Sequence, residues 1–156
     1  MNVLLSRIDE RLIHGQVMTR WITGLYITRI ILVDDKIAGD DFMVDVLTLS
    51  APVGVEVKAL SVEDALKFIQ ADTSSAKTML LFKDIRYVKA LADGGYMVPK
   101  LDIGNIGSSP VRKAVTREVF MSPEEQEIAK QLHDKGMYIY IQKLPSDREQ
   151  DLMALL

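Results

Sequence analysis

The segment TRIILVDD, residues 28–35, is a continuous run of mainly β-branched and apolar residues that ends in two aspartates. An uninterrupted apolar run of this length is typical of a strand that is buried on both faces. Strands of this kind occur in parallel sheets, because helices then cover both faces of the sheet. The segment therefore predicts an α/β fold with a parallel sheet.

Strand and helix patterns alternate on either side of this segment, along all 156 residues. Further strands are predicted at Val3–Leu5, Val55–Ala59, Thr78–Lys83, Lys100–Ile106, Ala114–Phe120 and Met137–Gln142. Helices are predicted at Gly15–Thr23, Asp40–Ser50, after the N-cap Ser61, at Tyr87–Ala92, after Ser122 with Pro123, and at Arg148–Leu155. The pattern predicts a single domain over residues 1–156, with a mostly parallel central sheet of about seven strands and helices on both faces.

The composition excludes several classes of protein. The chain has no cysteine, which excludes a disulfide framework and a thiolate zinc site. Its net charge is −3 and it has no basic cluster, so a nucleic-acid partner is not expected. The N-terminal residues lack a basic leader, and no stretch approaches the ~20 apolar residues of a membrane span. We therefore expect neither a signal peptide nor a membrane-spanning segment.

A cluster of charged and polar residues follows the first predicted strand. The segment SRIDERLIHGQV, residues 6–17, contains Asp9, Arg11, Gly15 and His14, one of only two histidines in the chain. Ligands of parallel α/β sheets bind beyond the carboxyl ends of the strands, near a topological switch point. The residues from Asp9 to Gly15 are therefore the predicted functional site.

This segment has the chemistry of an anion site. If the helix begins near Gly15 or Gln16, then His14 lies at its N-terminus, where free N–H groups and the helix dipole favour phosphate. Gly15 permits close approach of the backbone, and the guanidinium of Arg11 matches phosphate oxygens. Arg7 would add positive charge.

A histidine at such a site has two interpretations. A neutral imidazole beside an anion site can attack phosphorus and form phosphohistidine, with Asp9 either bonding the second ring nitrogen or orienting Arg11. The residue spacing does not decide which ring nitrogen reacts. A histidine near a helix start is also often a cap or a half-buried polar residue, and from the pattern alone both interpretations stay open.

The segment RIDERLIHGQV, residues 7–17, closely resembles the signature of the IIB components of the mannose-type bacterial sugar phosphotransferase system, whose substrates include mannose, fructose, sorbose and N-acetylgalactosamine. Trp21, VDD at 33–35, LSAPVGVEVKALSVEDAL at 49–66 and DIGNIG at 102–107 also resemble this family. The resemblance spans nearly the whole chain, and its first motif is the most specific.

The resemblance implies a protein-Nπ-phosphohistidine–sugar phosphotransferase. His14 would accept a phosphoryl group on its δ nitrogen from the phosphohistidine of a IIA protein or domain, and pass it to a sugar during uptake through the membrane components IIC and IID. Arg11 and the backbone around Gly15 and Gln16 would bind the phosphoryl group. The resemblance also implies an antiparallel edge strand, no metal or dissociable cofactor, and a cytoplasmic location beside the membrane permease complex. It leaves open a homodimer and the sugar, a mannose-family hexose or an amino sugar such as N-acetylgalactosamine.

The late loop departs from the family pattern. Ser108, Ser109 and Pro110 stand where relatives often have another glycine and a methionine. This loop is expected to border the site, with Asn105 as a contact, so the departure bears on the sugar or on the partner.

The sequence is also compatible with two other functions. The first is a non-catalytic α/β module that binds a phosphorylated small molecule at the same helix start. The second is an aspartyl-phosphate receiver, because Asp34 and Asp35 follow a strand and Lys83 ends another; the simpler interpretation of this acidic pair is a helix cap. His133 precedes a helix end, where it favours the helix dipole and need not react.

Overall fold

The computed structural model describes residues 1–156. Its strands are β1 (Asn2–Asp9), β2 (Arg29–Val33), β3 (Glu56–Leu60), β4 (Lys77–Phe82), β5 (Lys100–Asn105), β6 (Lys113–Ala114), β7 (Phe120–Met121), β8 (Tyr138–Ile141) and β9 (Gln150–Asp151). Its helices are α1 (Gly15–Gly24), α2 (Asp35–Ala38), α3 (Asp41–Ser50), α4 (Val62–Ala71), α5 (Ile85–Asp93), α6 (Pro123–Asp134) and α7 (Leu152–Leu155). None of these helices combines the length and the apolar character that a membrane crossing requires.

Seven strands form the central sheet, in the order β3-β2-β4-β1-β5-β8-β9. Every pairing in this sheet is parallel except that of β9, which runs antiparallel to β8 at the edge. The predicted α/β class, the mostly parallel sheet and the antiparallel edge strand are confirmed. The strands β6 and β7 form a separate two-stranded antiparallel sheet.

Burial on both faces explains the parallel arrangement. All five residues of β2 are buried, as the apolar run predicts. One hydrophobic cluster packs α1 and α3 against one face of the sheet, with Trp21 and Leu47 among its residues. The other cluster packs α5 and α6 against the opposite face, with Val88 and Ile128 among its residues. The helices therefore cover both faces of the sheet.

The sheet places the end of β1 at a switch point. Strand β1 lies between β4 and β5, and its chain continues into α1 on one face. The chains that leave β4 and β5 lead to α5 and α6 on the other face. Neighbouring loops therefore separate on both sides of β1, which is the arrangement that opens a crevice at the carboxyl edge.

Three predicted elements were wrong in their extent. Strand β1 continues to Asp9, well beyond the predicted Val3–Leu5, because its buried polar side chains find partners inside the protein. The predicted strand Ala114–Phe120 is instead the β6–β7 hairpin, whose turn is closed by the N–H groups of residues 115 and 116 bonding to the Val119 carbonyl. The predicted helix Arg148–Leu155 is divided between β9 and the four-residue α7.

The starts predicted for α3, α4 and α6 are confirmed, whereas α5 begins at Ile85, two residues before the predicted Tyr87. Ser61 accepts a hydrogen bond from Asp64 N at the start of α4, and Asp40 accepts one from Met43 N at the start of α3. Ser122 forms a full capping box at the start of α6, followed by a proline at the first helical position.

Candidate functional site

The loop between β1 and α1 is a tight and partly buried turn. Leu12 N donates to the Asp9 carbonyl at 2.9 Å, which closes the turn as soon as the strand ends. Leu12 and Ile13 are buried in the same hydrophobic cluster as α1, so apolar contacts hold the loop in place. Leu12 has φ +63° and Gly15 has φ +52°. The left-handed conformation at Gly15 suits a glycine and turns the chain directly into α1.

His14 occupies the N-cap position of α1, at the predicted place. Its Nδ1 lies 3.0 Å from the Leu12 carbonyl, so the side chain turns back over the loop and makes no capping bond to α1. Because a carbonyl only accepts, this contact places the ring proton on Nδ1. The Nε2 atom is buried and has no hydrogen-bond partner. His14 is half-buried rather than freely exposed, so the ring must move before either nitrogen can react.

The start of α1 has the electrostatics of an anion site. No side chain caps its first N–H groups, and its first turn has no acidic residue. By contrast, α3, α4 and α6 each begin with acidic residues. Gly15 and Gln16 are exposed and line a cavity of about 180 Å³ together with His14, Ser50 and Pro52. The first turn of α1 therefore keeps its positive end available.

Asp9 orients Arg11, which is the second of the two roles considered for this carboxylate. Its Oδ1 accepts from Arg11 N at 3.0 Å and from Arg11 Nε at 3.3 Å. Asp9 is fully buried, whereas the side chain of Arg11 is 43% exposed. No hydrogen bond joins Asp9 to the ring of His14. Arg11 therefore lies at the protein surface, and the buried Asp9 carboxylate fixes its guanidinium.

Arg7, expected to add positive charge to the loop, lies beneath it. Its side chain has no solvent exposure and forms ion pairs with Asp9 and Asp102 inside the sheet. Positive charge that is buried and paired in this way is not available for contact with a ligand at the surface.

Asn105 lies where the prediction places it, at the end of β5 next to the β1–α1 loop. Its carbonyl accepts from Glu10 N at 3.1 Å, and its side-chain amide donates to the Glu118 carbonyl at 3.4 Å. Asn105 is half-buried, and its side chain is committed to the β6–β7 segment in this structure.

The chain is similar to known proteins in sequence and in fold. A family model described as "PTS system sorbose subfamily IIB component" matches residues 3–156. The chain belongs to this IIB family. The fructose-specific EIIB component of Bacillus subtilis is 32% identical over 100% of this chain and 96% of its own length. The mannose-specific EIIAB component of Escherichia coli is 31% identical over 100% of this chain, which spans 49% of that relative. The solved structure of manxB from Thermoanaerobacter tengcongensis has a TM-score of 0.90 and 38% identity, covering 99% of this chain and 94% of that one.

IIB components of the phosphotransferase system are phosphotransferases, and they work with IIA and with the membrane components IIC and IID. Membership of this family is consistent with a role in the phosphoryl transfer of sugar uptake.

A charged network next to the site was not foreseen from the sequence. Glu10 accepts from Arg112 at 2.6 Å and from Gly107 N at 3.0 Å, and Arg112 also pairs with Glu125 at 2.9 Å. These bonds fasten the late loop, in which Ser109 lies, to the residue before Arg11. No local signal marks this network in the IIB sequence, because Glu10 and Arg112 are 102 positions apart.

The acidic pair of the receiver hypothesis has a structural role in this IIB chain. Asp34 caps α2 by accepting from Lys36 N and Ile37 N at 3.0 and 2.9 Å. Asp35 accepts from Val62 N at 2.8 Å and so ties α2 to the start of α4. Family membership and these caps favour the simpler interpretation. His133 is exposed in the last turn of α6, as expected for a residue that complements the helix dipole.

We expect Asp34→Ala to lower the free energy of unfolding by about 1–2 kcal/mol, because two backbone N–H groups lose their partner. Phosphorylation of the chain should not change. Denaturant unfolding and phosphoryl incorporation, measured side by side, test both statements. Asp40→Ala is the matched control, since this exposed cap accepts only one such bond. Loss of phosphorylation in folded Asp34→Ala would revive the receiver hypothesis.

Proposed function

We propose that this chain is a phosphocarrier whose His14 accepts a phosphoryl group from IIA and passes it to a sugar that enters through IIC and IID. The observation that carries the proposal is the uncapped start of α1, which has a histidine at its N-cap and no acid in its first turn. Membership of the IIB family and the mannose-specific EIIAB component among the relatives support a IIA donor.

The chemical step is an exchange of one P–N bond for another. An imidazole nitrogen of His14 with a free lone pair attacks the phosphorus of the IIA phosphohistidine, and the P–N bond to IIA breaks as the new bond forms. The developing charge on the phosphoryl oxygens meets the first N–H groups of α1, around Gly15 and Gln16, and the guanidinium of Arg11. In the second transfer the sugar hydroxyl oxygen attacks the phosphorus, and the P–N bond to His14 breaks as the P–O bond forms. The proton lost by the hydroxyl restores the neutral imidazole of His14. The proposal involves no metal or dissociable cofactor.

Attack by the δ nitrogen, which the family resemblance implies, requires a rearrangement of the ring. In the resting state Nδ1 donates its proton to the Leu12 carbonyl, so the free lone pair lies on Nε2. The ring must release Leu12 and hold its proton on Nε2 before Nδ1 can attack. Breaking a single hydrogen bond at a half-buried side chain makes this movement accessible.

We therefore expect the resting protein to hold His14 as the Nδ1–H tautomer. Two-dimensional ¹⁵N–¹H spectra distinguish the tautomers, because they correlate each ring nitrogen with the protons bonded to the ring carbons. The same spectra after phosphorylation identify the phosphorylated nitrogen. His133, which is exposed, provides an internal reference. A resting Nε2–H tautomer would show that the Leu12 bond does not form in solution.

The proposal also defines where the protein works, what it binds and which surface lies next to the site. The protein works in the cytoplasm at the membrane permease complex, and it binds IIA, IIC and IID rather than nucleic acid. Apolar side chains exposed along and just after α3, among them Phe42, Leu49 and Val53, lie on the segment that reaches the His14 cavity through Ser50 and Pro52. The sugar is a mannose-family hexose or an amino sugar, and a homodimer is compatible with the proposal.

Phosphorylation by IIA tests the proposal against the binding-module rival. The purified chain is mixed with phosphorylated IIA, and transferred phosphate is measured after gel separation. The carrier predicts phosphate that is labile in acid and stable in alkali, as phosphohistidine is. Reversible binding of phosphorylated sugars without any incorporation would instead support the module. Alkali-labile phosphate would indicate an acyl phosphate.

A further inference from the structure

A fully buried arginine lies beneath the β1–α1 loop. The side chain of Arg7 has no solvent exposure and is the largest side chain buried to this degree. Its Nη1 donates to the Asp102 carboxylate and, at 2.8 Å, to the Gln142 carbonyl, while the ring of Trp21 lies 5.3 Å from Cζ. Removing a guanidinium from water is costly even when it is paired. The transfer step described above gives this residue no role.

The neighbouring strand β5 leaves space for this guanidinium. A Cβ atom placed on Gly104 would lie 2.1 Å from Cζ of Arg7, a distance that only displacement of the guanidinium could relieve. The chain therefore provides both a buried cation and a glycine that allows it to lie there.

Asp9 connects this buried cation to the surface. Its Oδ2 lies 3.6 Å from Nη2 of Arg7, and its Oδ1 accepts from Arg11 N and Nε. Asp9 itself is fully buried. Its carboxylate lies between two cations, Arg7 on the side of the core and Arg11 on the side of the surface. Arg7 is fixed within the core, whereas the side chain of Arg11 is partly exposed. The position of Arg11 therefore depends on a carboxylate that Arg7 holds.

Asp102 is the second carboxylate that pairs with Arg7. Burial raises the pKa of Asp102 to about 7, although Arg7 and the Gln142 N–H act in the opposite direction. Arg7 therefore lies against two buried carboxylates, Asp102 and Asp9.

We propose that Arg7 is a positioning residue for phosphoryl transfer, acting through Asp9 to hold Arg11 in place in the β1–α1 loop. The inference rests on the proposed function, because it uses the roles given there to Arg11 and His14. If Arg7 is lost, the buried Asp9 loses its inner cation and no longer fixes the outer guanidinium. The effect should then appear in the rate of transfer and should require Arg11.

A double-mutant cycle separates positioning from general support of the fold. Arg7→Lys keeps the charge but loses the fork that spans two carboxylates. It is made in the unchanged chain and in Arg11→Ala, and single-turnover transfer from phosphorylated IIA is measured in each. We expect Arg7→Lys to slow transfer by about tenfold or more in the unchanged chain. In Arg11→Ala the same change should cost less than about twofold, because coupled residues are not additive.

Arg29→Lys is the matched control. Arg29 is also buried, pairs with Asp72 at 2.8 Å and stacks on Phe68 at 5.1 Å. It is the first residue of β2 and therefore lies at the amino ends of the strands, away from the β1–α1 loop. We expect it to change transfer less than about twofold in both backgrounds. Equal slowing by Arg7→Lys in the two backgrounds, or an equal effect of Arg29→Lys, would overturn the proposal.

Gly104→Ala provides a second approach, because it displaces the guanidinium without removing any charged group. It should show the same dependence on Arg11. If neither Arg7→Lys nor Gly104→Ala folds, Arg7 is a residue of the fold and the positioning role is rejected. The proposed function has a separate readout: it fails if the unchanged chain takes no phosphoryl group, whereas an additive cycle in an active chain rejects only the role of Arg7.

Discussion

His14→Ala is expected to reduce phosphoryl incorporation from phosphorylated IIA by at least about a thousandfold, because the covalent intermediate cannot form without a nucleophile. The side chain is half-buried and makes one hydrogen bond, to Leu12, so the variant should still fold. Phosphate on the protein is measured over a time course, and denaturant unfolding is measured on the same samples.

His133→Ala is the control for this experiment. It removes the only other histidine, an exposed residue far along the chain in α6, and transfer should remain at the level of the unchanged protein. If His133→Ala rather than His14→Ala abolished incorporation, the phosphoryl group would reside on α6 and the site described here would be wrong. Incorporation that survives both changes would exclude phosphohistidine altogether.

The sheet could be predicted from sequence wherever a strand is defined by its own residues. Runs such as residues 28–35 are apolar without interruption, and local pattern alone indicates burial on both faces. The short strands β6, β7 and β9 consist of two residues each, and they exist because a partner strand lies beside them. No local pattern marks such strands, which explains why the segments 114–120 and 148–155 were assigned wrongly.

The site could be located from sequence, but its internal contacts could not. Charge, glycine and histidine in succession after a strand indicate an anion site, and His14 lies at the start of α1 as expected. The burial of Arg7 could not be predicted, because it depends on Asp102 and on the missing side chain at Gly104, nearly 100 residues later. A charged residue in a motif therefore indicates importance without indicating whether it meets the ligand or supports it.

Arg11→Ala should slow phosphoryl transfer about 100-fold, the usual cost of one donor to a developing oxyanion. The free energy of unfolding should change by no more than about 1 kcal/mol, because the Arg11 side chain is partly exposed and screened by solvent. Single-turnover transfer at saturating IIA isolates the chemical step from binding. The loss should appear in the maximal rate, since the contact strengthens as charge develops on the phosphoryl oxygens.

Arg20→Ala separates this local role from attraction over a distance. Arg20 is exposed on α1, so its removal changes the net charge equally without touching the β1–α1 loop. Long-range steering of the acidic phosphoryl group would be lost in both variants and would fade at high salt. A local contact predicts that the transfer rate falls only in Arg11→Ala and that this loss persists at high salt. Arg11→Lys should regain part of the rate, because it restores the charge but not the planar fork. Normal transfer in Arg11→Ala together with a large loss of stability would instead make Arg11 a structural partner of Asp9, because its ion pair would then matter only to the folded state.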